Sequence, residues 1–361
     1  MIRHLLLAAV FVFVSAAGGA IALKPEPGRW YAIPNSRLDQ QAGVFPPVPT
    51  PQGRPGNVLV AWSGAAYDSK RARVLFHGGG HVDYAGNEVY AFDVNTFRWS
   101  RIWGPSPQIP PAEVSEGRDE YPDGNPAAVH SYDGLNYIPD VDKLWRGGGS
   151  LWSGSGGGTQ ATWMLDLASN RWQRMANSRV LGVSVTSEYD PVSGHVFALS
   201  DHNVLGEYDP KRNRWSYLGD MFSGEEPVSA IDPERRLFVR VGNGDLSYYN
   251  ISSGSIRLAV QTRGPQDVVK ARGPGFVYDS SIKKFVGWAG GTSVFVLDPT
   301  TWTWTEVKAA PDNTVSPPTI FTDQPGKILV MSKFLYIPSK NFYVLVQTAE
   351  TEVYIYRIAP P

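Results

Sequence analysis

The sequence predicts an all-β fold, a six-bladed β-propeller closed by its N-terminal strand. Three observations predict it. An acidic residue ends an apolar alternation and a Trp follows six positions later: Asp93 and Trp99, Asp166 and Trp172, Asp209 and Trp215, Asp298 and Trp304, with Asn250 and Ile256 as a divergent copy. A hairpin of matching shape precedes each copy. The last unit lacks its Trp strand, while an unmatched Gly-Arg-Trp-Tyr-Ala run at 28–32 stands near the start. Repeats at a fixed spacing set the architecture before any single residue is interpreted.

Each copy reads as two strands joined by a polar turn that opens on the acidic residue. The upstream hairpins have first strands ending at Tyr67-Asp68, Tyr137-Ile138, Tyr189-Asp190, Ile231-Asp232, Tyr278-Asp279 and Tyr336-Ile337. Their second strands are 73–77, 143–146, 195–199, 236–241, 284–288 and 341–346. Two hairpins make a four-stranded blade. The sixth unit ends at its third strand, 352–358, so the Trp30 strand is expected to complete it and leave only short, protected sheet edges. A spare apolar stretch, 327–331, leaves a seventh unit within 308–333 as the alternative.

The glycine clusters 78–80, 147–149 and 290–291, the Tyr before the first turn and the late Trp together resemble the kelch-type β-propeller, a galactose-oxidase-like repeat. The resemblance covers nearly all of the chain after residue 24, and units three, four and six lack the glycine doublet. It implies a fold and leaves function open among oxidases, epimerases, lyases, lectin-like binders and adaptors.

The first 22 residues read as an export signal, with Arg3 and His4, an apolar run at 5–14 and a small-residue site ending at Ala22. The run is short for a membrane span, so cleavage after Ala22 and a secreted or periplasmic location are expected, with an uncleaved anchor as the alternative. Residues 23–361 then form one propeller domain of some 56 residues per blade, near the roughly 50 of a kelch unit. The chain has no cysteine, which excludes a thiol nucleophile, a Cys-based metal site and copper-radical chemistry built on a Cys–Tyr crosslink. A net charge of −1 offers no field for nucleic acid. A monomer without cofactor is expected, and after signal cleavage no span of the membrane.

In a propeller the turns within hairpins share one face, and the remaining loops share the other. Here the first set is short. The second is long and irregular: 78–87, 103–130, 149–161, 219–227, 260–274 and 308–328. Function concentrates on such loops. The longest, 103–130, carries Glu113, Glu116, Arg118, Asp119, Glu120, Tyr121 and Asp123 and reads as a solvated flap or a lid.

Four histidines, His77, His81, His130 and His202, map to that face or its rim, while His195 lies by the short turns. Triple glycine before His81 lets the backbone turn tightly and frees His81, Asp83, Tyr84 and Asn87 to face the channel. The next blade adds His130, Tyr132 and Asp133, with Arg146 ending its second strand. Blade three adds Asp201, His202 and Asn203, and blade four adds Asn243 and Asp245.

This set suits β-elimination on a uronate, which needs a base for the C5 proton, an acid for the leaving oxygen and a cation against the carboxylate. His81 and His130 are the expected proton carriers, Tyr84 and Tyr132 the alternates, and Arg146 the clamp. Asp83, Asn87, Trp103, Trp152, His202 and Asn243 are expected to bind substrate. The arrangement is similar in residue type to propeller polysaccharide lyases, which implies an acidic polysaccharide as partner. Three alternatives remain. One is a glycosidase pairing Asp83 with Glu116, Asp119 or Glu120. Another is a metal site of His81, Asp83, His130 and His202. The third is a non-catalytic glycan- or protein-binding module using Trp103, Trp152, Tyr121 and Trp288 as stacking platforms. Trp62 and Trp163 fall in strand patterns and read as core. The glycine-rich run 147–158 lacks a phosphate-loop Lys and leads into a strand, so nucleotide binding is rejected.

Overall fold

The computed structural model describes residues 24–320 and 326–358, so the expected export signal lies outside the described residues. The chain forms six four-stranded antiparallel sheets arranged as a propeller. Blade one is Ala66–Asp68, Arg73–His77, Val89–Asp93 and Arg98–Trp103; blade two is Leu135–Ile138, Lys143–Gly147, Thr162–Asp166 and Arg171–Arg174. Blades three to five repeat this order from Thr186, Val228 and Gly275. Blade six takes Phe334–Ile337, Phe342–Leu345 and Tyr354–Arg357 from the end of the chain and Arg29–Ala32 from its start. The spare stretch 327–331 forms no seventh blade; Ile328, Leu329 and Val330 pack as a buried loop. Among the described residues no helix is long and apolar enough to cross a membrane.

The repeat has a local cause. The carboxylate of Asp93 accepts the backbone N–H of Asn95 and Thr96 at 2.8 Å each, and Asp166, Asp209 and Asp298 do the same two residues on. An acidic side chain at that position therefore closes the turn. The turn ends on a residue of left-handed backbone: Phe97, Asn170, Asn213, Gly254 and Trp302. The Trp then pairs across the hairpin, as in Phe92 with Trp99, Leu165 with Trp172, Tyr208 with Trp215 and Leu297 with Trp304. Trp30 occupies the same place opposite Tyr356, as predicted for the closing strand. Its indole donates to the Thr292 carbonyl at 2.9 Å and lies 4.9 Å from the Tyr356 ring.

First strands of successive blades stand side by side around the axis. At their centre the buried Asp133 carboxylate accepts from Thr186 Oγ1 at 2.6 Å and from the Ser229 N–H at 2.9 Å, joining blades two, three and four. Burial raises its pKa to about 7 against the pull of these donors. The fold thus favours the protonated acid. The stability this contributes is full below the unfolded value of about 3.9 and is lost as pH rises through about 7, at no more than about 1.4 kcal/mol per unit. The melting-temperature advantage of the wild type over Asp133→Asn should therefore shrink between pH 4 and pH 8, measured by calorimetry. A pH-independent difference would contradict this assignment.

Candidate functional site

The long-loop face at the junction of blades one and two brings together His81, Asp83, His130 and Tyr132. Residues 79–82 all have left-handed backbone, with φ of 103°, 76°, 23° and 55°. Gly80 is required there. A Cβ would stand 2.4 Å from the His130 nitrogen and 2.5 Å from the Ser150 carbonyl oxygen, so only glycine lets this loop press on blade two. His130 is fixed on a short ladder, Val129–His130 against Ser150–Leu151.

Asp83 Oδ2 lies 2.7 Å from His130 Nε2. The His81 ring meets His130 edge to face at 5.7 Å, and Tyr132 meets it at 6.2 Å. His130 is buried, and burial lowers its pKa; Asp83 opposes that shift and His81 adds to it. The imidazole is therefore neutral at neutral pH. Burial first, then the charges of Glu226, Asp201 and Glu225, hold the Tyr132 phenol protonated. His81 and Asp83 are more open to solvent than His130.

Trp62 completes the cluster, a residue that its alternation marks as core. The first strand begins only at Ala66, and Trp62 sits in the loop before it with φ of 43°. Its ring stacks on His130 at 5.2 Å, Lys327 Nζ lies 5.3 Å from its centre, and its indole N–H donates to Glu226 Oε1 of the loop before blade four at 2.5 Å. Glu226 also accepts from Arg272 Nε at 2.8 Å. Trp62 therefore lies across the mouth of the channel, tied to the loop leading into the opposite blade. No repeat logic points to Trp62, Glu226 or Arg272. The only sequence signal is that each lies just before a first strand.

Several expected residues are elsewhere. Arg146 is fully buried between blades one and two, bonds the Ala127 carbonyl at 3.2 Å and is shifted down to about 10 by burial. It is not placed to clamp a ligand at the channel. Tyr84 is buried in the blade-one core and donates to Glu88 Oε1 at 2.6 Å. That acid, absent from the expected set, is raised to about 7 by burial. Asn87 staples loops through Ser106 Oγ and the Pro126 carbonyl. His77 is buried and lowered to about 3, chiefly by burial. Trp152 is fully buried with its indole on the Pro110 carbonyl, Trp288 bonds the Gly291 carbonyl, and Tyr121 donates to the Ala85 carbonyl. None of these three presents a stacking face. Trp103 is half-buried against Trp172 at 6.1 Å, away from the cluster.

His202 and Asn243 are exposed on loops of blades three and four; His202 Nδ1 lies 3.0 Å from the Arg179 carbonyl. The acidic flap is tied down. Asp119 takes a bidentate pair from Arg174 at 2.8 and 2.7 Å, Glu120 contacts the same guanidinium, and Glu116 bonds Ser155. These three carboxylates face blade two. Among the described residues no three His, Asp or Glu side chains converge as metal ligands.

No protein-family model matches the chain. Among solved structures the chain is similar to TolB from Acinetobacter baumannii, with 12% sequence identity and a TM-score of 0.42. The likeness covers 67% of this chain and 53% of that one, so this chain spans about half the length of the TolB chain it matches.

Proposed function

We propose that this chain is an exported propeller of kelch type that binds an acidic carbohydrate at the channel mouth and cleaves it by β-elimination. One observation carries the reading: a carboxylate–imidazole pair, Asp83 with His130 at 2.7 Å, packed against a second imidazole and a phenol at the mouth of a channel. The kelch assignment rests on the glycine clusters, of which Gly79, Gly80, Gly148, Gly149, Gly290 and Gly291 take left-handed backbone. Export rests on the composition of the first 22 residues.

In this reading His81, the more open imidazole, takes the C5 proton of a uronate. His130 and Asp83 position it. Asp83 accepts the His130 Nε2–H, which fixes the tautomer and the ring. Tyr132 keeps its proton and gives it to the leaving oxygen. Lys327, beside the Trp62 ring, supplies the cation that Arg146 does not, and the Trp62 ring offers an apolar face to a sugar. Electrons of the C5–H bond form the C4–C5 double bond as the C4–O bond breaks, and the leaving oxygen takes the Tyr132 proton.

The test is mass spectrometry of products after incubating residues 23–361 with neutral and acidic polysaccharides. Unsaturated fragments are expected from a uronate polymer. Fragments carrying an added water would overturn the elimination step and move the chemistry to carboxylates. No fragment and no retardation on a native gel with any polysaccharide would overturn the reading altogether.

A further inference from the structure

The channel is not uniform. Above Asp133 it is crossed by Trp62. Below Asp133 lies a cavity of about 230 Å³ walled by all six blades, running from Ser69 and Pro139 at the short turns to Ser229 and Ser332 beneath the Asp133 carboxylate. Its walls are mainly aromatic and aliphatic, with Phe276 and Phe334 among them. The tyrosines on the wall direct their hydroxyls to the turns: Tyr137 to Asp142 at 3.0 Å, Tyr189 to Asp140 at 3.2 Å and Tyr336 to Asn341 at 3.0 Å.

Glu188 is the single formally charged residue on this wall. It projects from the first strand of blade three, one turn of the alternation from Thr186, which bonds Asp133. No hydrogen-bond donor or cation among the described residues reaches its carboxyl group. Burial, and then the charge of Asp133, push its pKa well above the usual carboxylate range. The carboxyl group is half-buried on the wall of a narrow cavity, with no donor or cation beside it to stabilise its charged form. The surrounding structure supplies neither, since the neighbouring hydroxyls of Thr186 and Ser229 are committed to Asp133 and to each other.

We propose that this cavity is a second binding site, open at the short-turn face, that seats a primary alkylammonium group against Glu188. The cation supplies the missing partner, and its alkyl chain lies along the apolar and aromatic wall. The inference does not rest on the reaction proposed above, because the site lies on the opposite side of the Trp62 and Asp133 barriers and uses none of the same residues. A free amine and the side chain of a lysyl residue present the same chemistry, and cavity size favours a short chain.

The probe is n-butylammonium, titrated calorimetrically into the wild-type chain, with n-butanol, potassium and calcium as comparisons. Saturable binding of n-butylammonium is expected, at least about tenfold tighter than n-butanol, with Glu188→Gln weakening it by at least about tenfold. Equal binding of the alcohol would show an apolar hole without ion recognition and overturn the proposal. Binding of potassium or calcium in place of the amine would overturn it in favour of a metal site. Unchanged amine binding by Glu188→Gln would remove Glu188 from the site. The wild-type comparison of amine with alcohol stands even if the variant fails to fold. Nα-acetyl-lysine amide, tested beside n-butylammonium, distinguishes a lysyl source from a free amine.

Discussion

Replacing Trp30 with alanine is expected to destabilise the protein by about 3–5 kcal/mol. Trp30 is 2% exposed. It packs on Tyr356 and edge-on to Trp288 at 6.3 Å, and its indole bonds the Thr292 carbonyl, so truncation opens a cavity and orphans an acceptor at once. Its strand also joins the two ends of the described chain. Arg29–Ala32 pairs with Tyr354–Arg357, and without it the last sheet presents an unpaired edge to solvent. A domain of this kind is stable by about 5–15 kcal/mol, so the loss is a large fraction of the total. Removing residues 24–32 should go further, opening the ring and causing association through the bare edge. Denaturant unfolding of Trp30→Ala against a surface control such as Val192→Ala, at a residue 63% exposed, checks this. Equal midpoints for the two variants would contradict closure by the N-terminal strand.

His81→Ala is expected to lower the turnover of a uronate polymer by about 10²–10⁴-fold with the fold retained. The ring is partly open, and its backbone is held by neighbours: the His81 N–H bonds the Leu151 carbonyl at 2.9 Å whatever the side chain. A melting transition that collapses in His81→Ala would instead make the residue a loop staple. Asp83→Asn separates positioning from packing. Asp83 accepts the His130 Nε2–H, so Asp83→Asn should lower the rate, and adding His130→Ala should cost little more, since both act on His81 through one contact. Independent, additive losses would assign Asp83 a merely structural part.

The fold was legible because its signal is local and repeated. An acidic residue that closes a turn, a left-handed residue at the turn's end and a Trp opposite an apolar partner recur in blade after blade. The missing last strand had a visible substitute in Trp30. Part of the candidate site's geometry was legible too: the glycines before His81 do allow the loop to approach His130 closely. What failed did so for a geometric reason. First strands and the loops that enter them line the axis of a propeller, and a loop after a second strand reaches its mouth only where it turns across to the next blade, as residues 79–82 do. Arg146 lies in a second strand, about 4.8 Å further out, and packs between blades. Tyr84 and Asn87 follow the glycine turn, yet the chain has already turned back into the core by Tyr84. The indole of Trp152 is covered by a loop some 40 residues upstream, a contact with no trace in local pattern. Trp62 shows the converse. Its apolar neighbours suggest a strand, but it precedes the strand and takes φ of 43° to lie over the channel. Glu226 was equally hidden, because its role depends on a blade on the other side of the ring.

A ligand seated on the Trp62–His130 stack at the channel mouth has its own spectroscopic reporter. The indole N–H spectrum of the ¹⁵N-tryptophan-labelled chain would be recorded with and without a saturating uronate oligosaccharide, with the Trp62 resonance assigned by its loss in Trp62→Phe. Twelve tryptophans report on all parts of the propeller. A large shift is expected at Trp62, whose indole bonds Glu226 at the mouth, and little change at Trp30, Trp288 or Trp304. Shifts confined to those distant indoles, with Trp62 unmoved, would contradict binding at the mouth.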